Sequence, residues 1–275
     1  MIAQLLLSFR ESLEATLLVT IIFTYLQRMK RKSVVKYIWY GVSVAVIFSI
    51  GVGSMVWLLF GYLDEVTKTL FEGVASILAA VVLSTMIYWM ATKGNTLKTE
   101  IEDKVKGLMA GRMTFLFAFS FIIVFREGFE TVLFLTPYLI HDLLSTIVGV
   151  ILGVVMSIII SYLIFIIGLK ISIRGFFYFT SILLVLIGGG LIGHSMHELI
   201  EYSEHVGVDF GWVGRSAYNL NLSTDDIFYE KSFIGSILTV FFGYTTSAEW
   251  LRLIAHAAYL GIFFPLTVIV FKKKN

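Results

Sequence analysis

Seven long runs of apolar residues dominate this sequence, and each is long enough to cross a lipid bilayer as a helix. A membrane-spanning helix needs about 20 mostly apolar residues. The runs do not alternate with a period of two, which excludes a transmembrane β-barrel. The first run has no basic segment before it and no small-residue cleavage site after it, which favours a span over a signal peptide. The predicted spans are 3–27, 37–62, 70–91, 113–139, 143–169, 175–200 and 248–271.

The amino-acid composition also indicates that much of the chain lies in a lipid bilayer. Apolar residues make up 58% of the 275 residues and charged residues 15%, against about 45–50% and about 25% in soluble domains. So little polar surface does not cover a water-facing globule. The lack of cysteine excludes disulfides, thiolate metal sites and a cysteine nucleophile. The sequence therefore predicts an all-α integral membrane protein with seven transmembrane helices.

Basic residues are distributed unevenly between the two sides of the predicted spans. Fifteen of the 21 Lys and Arg residues lie in the first, third and fifth loops and in the C-terminal tail. Because cytoplasmic loops carry an excess of basic residues, the N-terminus is predicted to be outside and the C-terminus cytoplasmic. Most acidic residues outside the spans lie on the opposite side, where they would concentrate cations.

The charged residues inside the spans form two copies of one motif. Residues 9–14 read Phe-Arg-Glu-Ser-Leu-Glu, and residues 125–130, which lie 116 positions later, read Phe-Arg-Glu-Gly-Phe-Glu. Weaker matches at an offset of 108 relate 41–50 to 149–158. Three spans per repeat is an odd number, so the second copy enters the membrane from the opposite side. That arrangement is an inverted-topology repeat, which in transporters places the substrate site near the bilayer midplane.

The predicted organisation is a single membrane domain over 1–275. It consists of repeat one at 1–91, repeat two at 113–200, an extracytoplasmic segment at 201–247 and a seventh span at 248–271.

The spacing within each motif places its charged side chains on one helical face. Glu11 and Glu14 are three residues apart, and Arg10 lies four residues before Glu14. A charge at the bilayer centre costs roughly 2.5–3.5 kcal/mol on insertion scales, so these groups need partners. If both motifs meet, four carboxylates and two guanidinium groups carry a formal charge of −2, which suits a hard cation. The predicted metal ligands are Glu11, Glu14, Glu127 and Glu130, with Arg10 and Arg126 as their charge partners.

The alternative for these motifs is structural, with two buried salt bridges that lock helices together. Buried ion pairs are poor stabilisers next to apolar packing, whereas intramembrane charges commonly mark ion pathways. The duplication therefore favours a metal-binding function, in which the Arg residues orient the carboxylates and reduce their repulsion.

At these motifs the sequence resembles the oxidase-dependent high-affinity iron permeases of fungi and bacteria, within the iron/lead transporter superfamily. That family has Arg-Glu-x-x-Glu in the first and fourth of seven spans. Residues 125–130 match it closely, and residues 9–14 differ only by Ser12, where the family usually has Gly. The resemblance extends to Phe71-Glu72-Gly73, Trp89-Met90 and Phe242-Gly243-Tyr244.

The resemblance implies a multi-pass plasma (cell) membrane permease that imports iron, classically ferric ion. It implies no permanently bound cofactor, because iron is the transported substrate. The expected partners are iron ion, membrane lipid and an extracytoplasmic ferroxidase, haem peroxidase or iron-binding protein. Neither enzymatic activity nor nucleic-acid binding is expected.

The outer end of the sixth span carries a second group of His and Glu residues, spaced to share a helical stripe. They could pass metal toward the spans. The competing interpretation is a polar helix end that makes interfacial hydrogen bonds, together with a rim acid that reaches solvent at the start of span three. The candidate entrance ligands are Glu72, His194, His197, Glu198, Glu201 and His205.

Two other functions stay open from the sequence. Carboxylate sites are not sharply selective, so the transported cation could be ferrous iron, lead or manganese. An intramembrane metalloenzyme would use His194, His197 and Glu198, although their order differs from the His-Glu-x-x-His of zinc proteases.

Glycine and short apolar segments give structural predictions. Gly149 and Gly153 are expected to be helix-packing contacts, and the glycines at 188–193 to permit close packing or local unwinding. Residues 232–243 are apolar but too short to span the bilayer, which predicts a re-entrant or interfacial segment.

Overall fold

The computed structural model describes residues 1–93, 97–109, 114–165, 173–223, 225–230 and 232–272. Within these ranges the chain forms nine α-helices and one small antiparallel sheet. The helices are α1 (Ile2–Arg28), α2 (Val35–Gly61), α3 (Glu65–Lys93), α4 (Leu97–Met109), α5 (Thr114–His141), α6 (Leu143–Phe165), α7 (Ile173–His205), α8 (Phe233–Phe242) and α9 (Trp250–Lys272). The strands are β1 (Ser216–Asn219) and β2 (Ser247–Glu249).

The long helices follow the predicted spans closely, as expected for an integral membrane protein. Among the described residues, five helices are long and apolar enough to cross a membrane, namely α2, α3, α6, α7 and α9. Helices α1 and α5 are as long, but the repeated motif places three charged residues inside the apolar stretch of each.

Parts of the sequence predictions fall outside the described residues. They are position 113, the end of the fifth span at 166–169, and the basic residues Arg112, Lys170, Lys231, Lys273 and Lys274. The orientation of the chain in the membrane stays a prediction.

The chain divides into two compact units. The first unit comprises residues 3–58 and 93–174, which include α1, α2, α4, α5 and α6. The second unit comprises residues 59–92 and 175–275, which include α3, α7, α8, α9 and the sheet.

Helix α4 lies between the third and fourth predicted spans, where the hydropathy of the sequence predicts no membrane helix. It is amphipathic, and its buried residues Ile101 and Val105 are four apart on one face. They pack in the first unit against a cluster that includes Ile22, Leu26 and Ile38. This apolar periodicity was readable in the sequence despite the charged residues around it.

Aspartates begin two of the helices. The carboxylate of Asp64 accepts a hydrogen bond from Thr67 N at 3.2 Å before α3, and that of Asp142 accepts one from Ser145 N at 3.0 Å before α6. Both satisfy a backbone N–H that would otherwise lack a helical partner. Side-chain hydrogen bonds with Thr67 and Ser145, followed by these backbone bonds, hold the pKa of both carboxyls below the ordinary value.

Small residues bring helices together in the first unit, as predicted for Gly149 and Gly153. A Cβ added at Gly153 of α6 would lie 2.7 Å from both Leu5 O and Phe9 N of α1. The Ser8 hydroxyl donates to Gly149 O at 3.3 Å across the same contact. Helix α6 therefore packs backbone to backbone on the turns of α1 that lead into the first motif.

The glycines of α7 serve packing in the second unit. Helix α7 is continuous from Ile173 to His205, so no unwinding occurs at the glycine run. A Cβ at Gly189 would lie 2.9 Å from the Leu260 side chain and 3.1 Å from the His256 ring of α9. Of the two readings from sequence, close packing is the one observed.

The segment between α7 and α9 contains the predicted short apolar element as helix α8. Strands β1 and β2 flank it and pair antiparallel, with Ser216 opposite Glu249. Gly243 ends α8 with a φ of 61°, a conformation that favours glycine. An added Cβ at Gly243 would also approach the ring of His256 to 2.6 Å.

Replacement of Gly153 by Leu should destabilise the first unit. The new side chain meets the backbone of α1, and such overpacking costs about 1–3 kcal/mol. Gly51→Leu is the matched control, because nothing lies within 4 Å of a Cβ added at Gly51. Thermal unfolding of the purified proteins in detergent should show a lower midpoint for Gly153→Leu only. Equal midpoints for the two variants would contradict the packing.

Candidate metal centre

Helices α1 and α5 bring acidic residues of the two repeated motifs together in the first unit. Glu11 and Glu14 of α1 and Glu127 of α5 each offer a carboxylate oxygen, and these oxygens lie within 4.8 Å of one another. All three side chains are buried. The group formed by these three residues is called the carboxylate cluster below.

Glu130 lies beside this cluster but is not one of its three members. Glu130 lies about one helical turn after the cluster residue Glu127, and its Oε1 is 3.2 Å from Arg126 Nε. The structure thus brings together three of the four predicted ligands and holds the fourth through an arginine.

The two arginines pair with the glutamates in different ways. Arg10 Nη1 is 2.5 Å from Glu11 Oε1, and Arg10 Nη2 is 3.3 Å from Glu14 Oε2, both within α1. Arg126 Nη2 is 3.0 Å from Glu127 Oε1 and 3.8 Å from Glu14 Oε1, so it links α5 to α1. The Arg10 side chain is 3% exposed, whereas that of Arg126 is 47% exposed.

Many carboxylate oxygens of this site accept no hydrogen bond within the described part of the protein. They are Glu11 Oε2, both oxygens of Glu14, both oxygens of Glu127 and Glu130 Oε2. The arginines compensate charge but leave these oxygens without well-directed donors. Burying carboxylate oxygens that accept no hydrogen bond costs free energy unless a cation is near. The donor set, which is oxygen only, matches that of hard metal ions.

A second group of potential ligands lies in the second unit. Glu72 of α3 and His194 and Glu198 of α7 offer ligand atoms within 4.8 Å of one another. Glu72 is 6% exposed, so the competing interpretation from the sequence, a rim acid that reaches solvent, is wrong. His194 Nδ1 is 3.7 Å from Glu198 Oε1.

The remaining candidate entrance ligands do not share one arrangement. His197 Nδ1 is 2.9 Å from Glu249 Oε1. Glu201 and His205 are exposed, and His205 Nδ1 lies 2.9 Å from the backbone oxygen of Glu201. A third possible ligand group, His197 with Glu198 and Glu201, shares Glu198 with the second. The predicted stripe is therefore divided between a buried part and an exposed part.

Glu249 is a neighbour of the candidate ligand His197 that the sequence does not predict. It follows β1 by 30 residues and reaches His197 only because β2 pairs with β1. Burial raises the pKa of Glu249, but the hydrogen bond with His197, a backbone hydrogen bond and the charges of His197 and Arg252 together hold the pKa below its ordinary value. No spacing in the sequence indicates this contact.

Comparison with known proteins decides the family. Residues 1–270 match the sequence model described as the Iron permease FTR1 family. The chain belongs to the Iron permease FTR1 family. Members of this family are iron permeases and not enzymes, so the chain is an iron-transport protein and the metalloenzyme alternative is wrong.

Relatives of this iron permease cover nearly its whole length. An uncharacterized protein of Archaeoglobus fulgidus is 36% identical over 261 residues, which are 95% of this chain and 92% of the relative. The ferrous iron permease EfeU of Yersinia pestis is 27% identical over 89% of this chain and 85% of its own length. EfeU of Escherichia coli O6:K15:H31 is 28% identical over 89% of this chain and 87% of its own length. No solved structure matches the chain.

The unequal exposure of the two arginines predicts unequal effects of removing them from this permease. Arg10→Gln leaves buried Glu11 and Glu14 without their shared cation, and breaking a buried pair costs about 3–5 kcal/mol. Arg126→Gln removes a half-exposed guanidinium whose attraction to Glu127 and Glu130 is weakened by solvent, so a smaller loss of stability is expected.

Thermal unfolding in detergent without added iron measures both effects. The unfolding midpoint should fall much further for Arg10→Gln than for Arg126→Gln. Equal falls would show that exposure does not distinguish the two motifs.

Proposed function

We propose that this protein imports iron across the plasma membrane through the carboxylate cluster. The observation that carries the proposal is the convergence of Glu11, Glu14 and Glu127 from two helices, inside a chain of the iron permease family. Glu130 completes the binding region as a fourth carboxylate beside Arg126.

Charge balance explains how the cluster holds a cation and then releases it. Four carboxylates and two guanidinium groups leave a formal charge of −2, which an iron ion offsets. Arg126 is the half-exposed partner and contacts Glu14, Glu127 and Glu130. We assign to Arg126 the role of a counter-charge that withdraws when iron binds and returns when iron leaves.

Repeated packing contacts support the proposed inverted repeat. A Cβ added at Gly41 of α2 would meet Ser120 of α5, and one added at Gly149 of α6 would meet Gln4 of α1. Gly41 and Gly149 are 108 positions apart, and Gln4 and Ser120 are 116 apart, which are the two offsets of the sequence repeat. The other atoms met belong to Phe117 and Phe121 in the first contact and to Met1 and Leu5 in the second.

The division into units agrees with the same repeat. The pairs α1 with α5 and α2 with α6 lie in the first unit, and the pair α3 with α7 lies in the second. Each unit thus contains equivalent helices from both proposed repeats. With α1 and α5 included, the chain has seven proposed spans, and inverted repeats of this kind permit alternating access from the two sides of a membrane.

The oxidation state of the transported iron has two candidates. Ligands that are all carboxylate oxygens favour ferric ion, the harder cation. The printed name of the Yersinia and Escherichia relatives, ferrous iron permease, favours ferrous ion. A ferroxidase or haem peroxidase partner outside the membrane would fit ferric transport, and an iron-binding protein would fit either. Competition of labelled iron uptake by manganese or lead tests selectivity.

Neutralising any one carboxylate should abolish uptake. Glu11→Gln, Glu14→Gln, Glu127→Gln and Glu130→Gln keep side-chain size but remove a charge from the site. Uptake of radiolabelled iron by cells should fall about 10-fold or more, because even groups behind metal ligands contribute 10–100-fold. Glu65→Gln, at an exposed position, is the control that should transport normally. Normal uptake by all four site variants, at equal membrane abundance, would exclude the cluster as the pathway.

Proteoliposomes with the permease as their only protein should distinguish the two iron species. On the carboxylate argument, uptake from ferric citrate should persist when a membrane-impermeant ferrous chelator is present outside. Uptake of iron kept reduced by ascorbate should be slower. Uptake that requires ascorbate and is stopped by the chelator would contradict ferric transport and favour the ferrous ion.

A further inference from the structure

We propose that Glu72, His194 and Glu198 form a second metal site, one that takes a divalent transition-metal ion such as Fe²⁺ or Mn²⁺. Their ligand atoms lie within 4.8 Å of one another in the second unit. The three residues belong to two helices, α3 and α7, that are far apart in the sequence.

The packing of α3 on α7 builds this site. Gly73, which follows Glu72, faces α7 so closely that an added Cβ would lie 3.4 Å from Glu198 Cβ and 3.3 Å from the Leu199 side chain. A larger residue at 73 would push the helices apart. The glycine thus allows the carboxylates of Glu72 and Glu198 to lie side by side.

The burial of this group would shield a bound cation from water. Glu72 and Glu198 are both buried, and His194 is 27% exposed, so the pair of carboxylates is largely shielded from water while the imidazole leaves a route of access. Two carboxylates this close repel one another, and a metal ion ligated by all three residues would offset that repulsion.

The donor set indicates which ion. One imidazole with two carboxylates suits borderline divalent ions such as Fe²⁺, Mn²⁺ or Zn²⁺, whereas the carboxylate cluster of the first unit has oxygen donors only. The ligand atoms of the three residues lie within 4.8 Å of one another. Small side-chain rotations would bring all three to metal–ligand distances of about 2.0–2.2 Å. The two units therefore offer binding chemistries of different hardness.

The neighbouring group of His197, Glu198 and Glu201 is the weaker candidate. Glu201 is exposed, and exposed acids retain their water without a metal. His197 already contacts Glu249 at 2.9 Å. Because Glu198 belongs to both groups, one ion can occupy only one of them. The greater burial of the group that includes Glu72 favours binding there.

The role of this site in transport rests on the proposed iron permease function, whereas metal binding itself does not. A divalent ion held here would be a store of the reduced metal, separate from the carboxylate cluster that the transport proposal uses. Binding is therefore tested in protein from which the first cluster has been removed.

The test uses the full chain in detergent under anaerobic conditions, with Co²⁺ and Mn²⁺ as probes. In the Glu14→Gln/Glu127→Gln background one Co²⁺ should still bind per chain. Glu72→Gln, His194→Gln and Glu198→Gln, each added to that background, should weaken binding about 10-fold or more. His197→Gln and Glu201→Gln are the matched controls and should bind normally.

Pulsed electron paramagnetic resonance of bound Mn²⁺ identifies the nitrogen ligand even if a variant is less stable. The ¹⁴N coupling should vanish in His194→Gln and persist in His197→Gln. No bound metal in the background, or dependence on His197 and Glu201 instead of Glu72 and His194, would overturn the second site. Iron uptake by the same variants reports separately on the transport proposal, so failure of one is distinguishable from failure of the other.

Discussion

Neutralisation of buried carboxylates is the constraint on which the first unit depends. Glu11, Glu14 and Glu127 lie away from water, and Arg10 is the buried cation that pairs with the first two of them. Arg126 adds the link between the helices by contacting glutamates of both. The helices α1 and α5 are thus joined by charges that apolar packing alone would not require, and the same charges leave oxygens free to bind a cation.

Close helix packing is what places those charges correctly. Around the motifs, glycine and serine allow α6 to lie on α1 and α2 to lie on α5 without intervening side chains. The Ser49 hydroxyl, which faces Gly128 inside the second motif, shows that this packing extends to the motif itself. Sites positioned by rigid backbone contacts hold their ligands more precisely than sites on loops. The small residues and the charged motif therefore form one packed arrangement.

The long helices and the repeated motif follow from patterns of neighbouring residues and could be predicted from the sequence. Contacts between residues far apart in the chain could not be predicted. Hydropathy located the long helices, and helical spacing placed Arg10 beside Glu14. By contrast, the burial of Glu72 depends on α3 packing against α7, and the contact of His197 with Glu249 depends on a strand pair formed far along the chain. Neither dependence leaves a periodic signal. The sequence repeat predicted four equivalent carboxylates, but the structure sets Glu130 apart from the other three.

That inequality between the two motifs bears on the proposed transport. A fully symmetric site would bind iron equally in its outward and inward states, and a ligand with equal affinity for two states shifts neither. Arg10 is buried and Arg126 is half-exposed, so the two motifs hold their carboxylates with cations of different mobility. In the proposed pathway, the α1 half would keep its buried arginine, and the α5 half would exchange its half-exposed arginine for an incoming ion. The two motifs, although alike in sequence, would then differ in role.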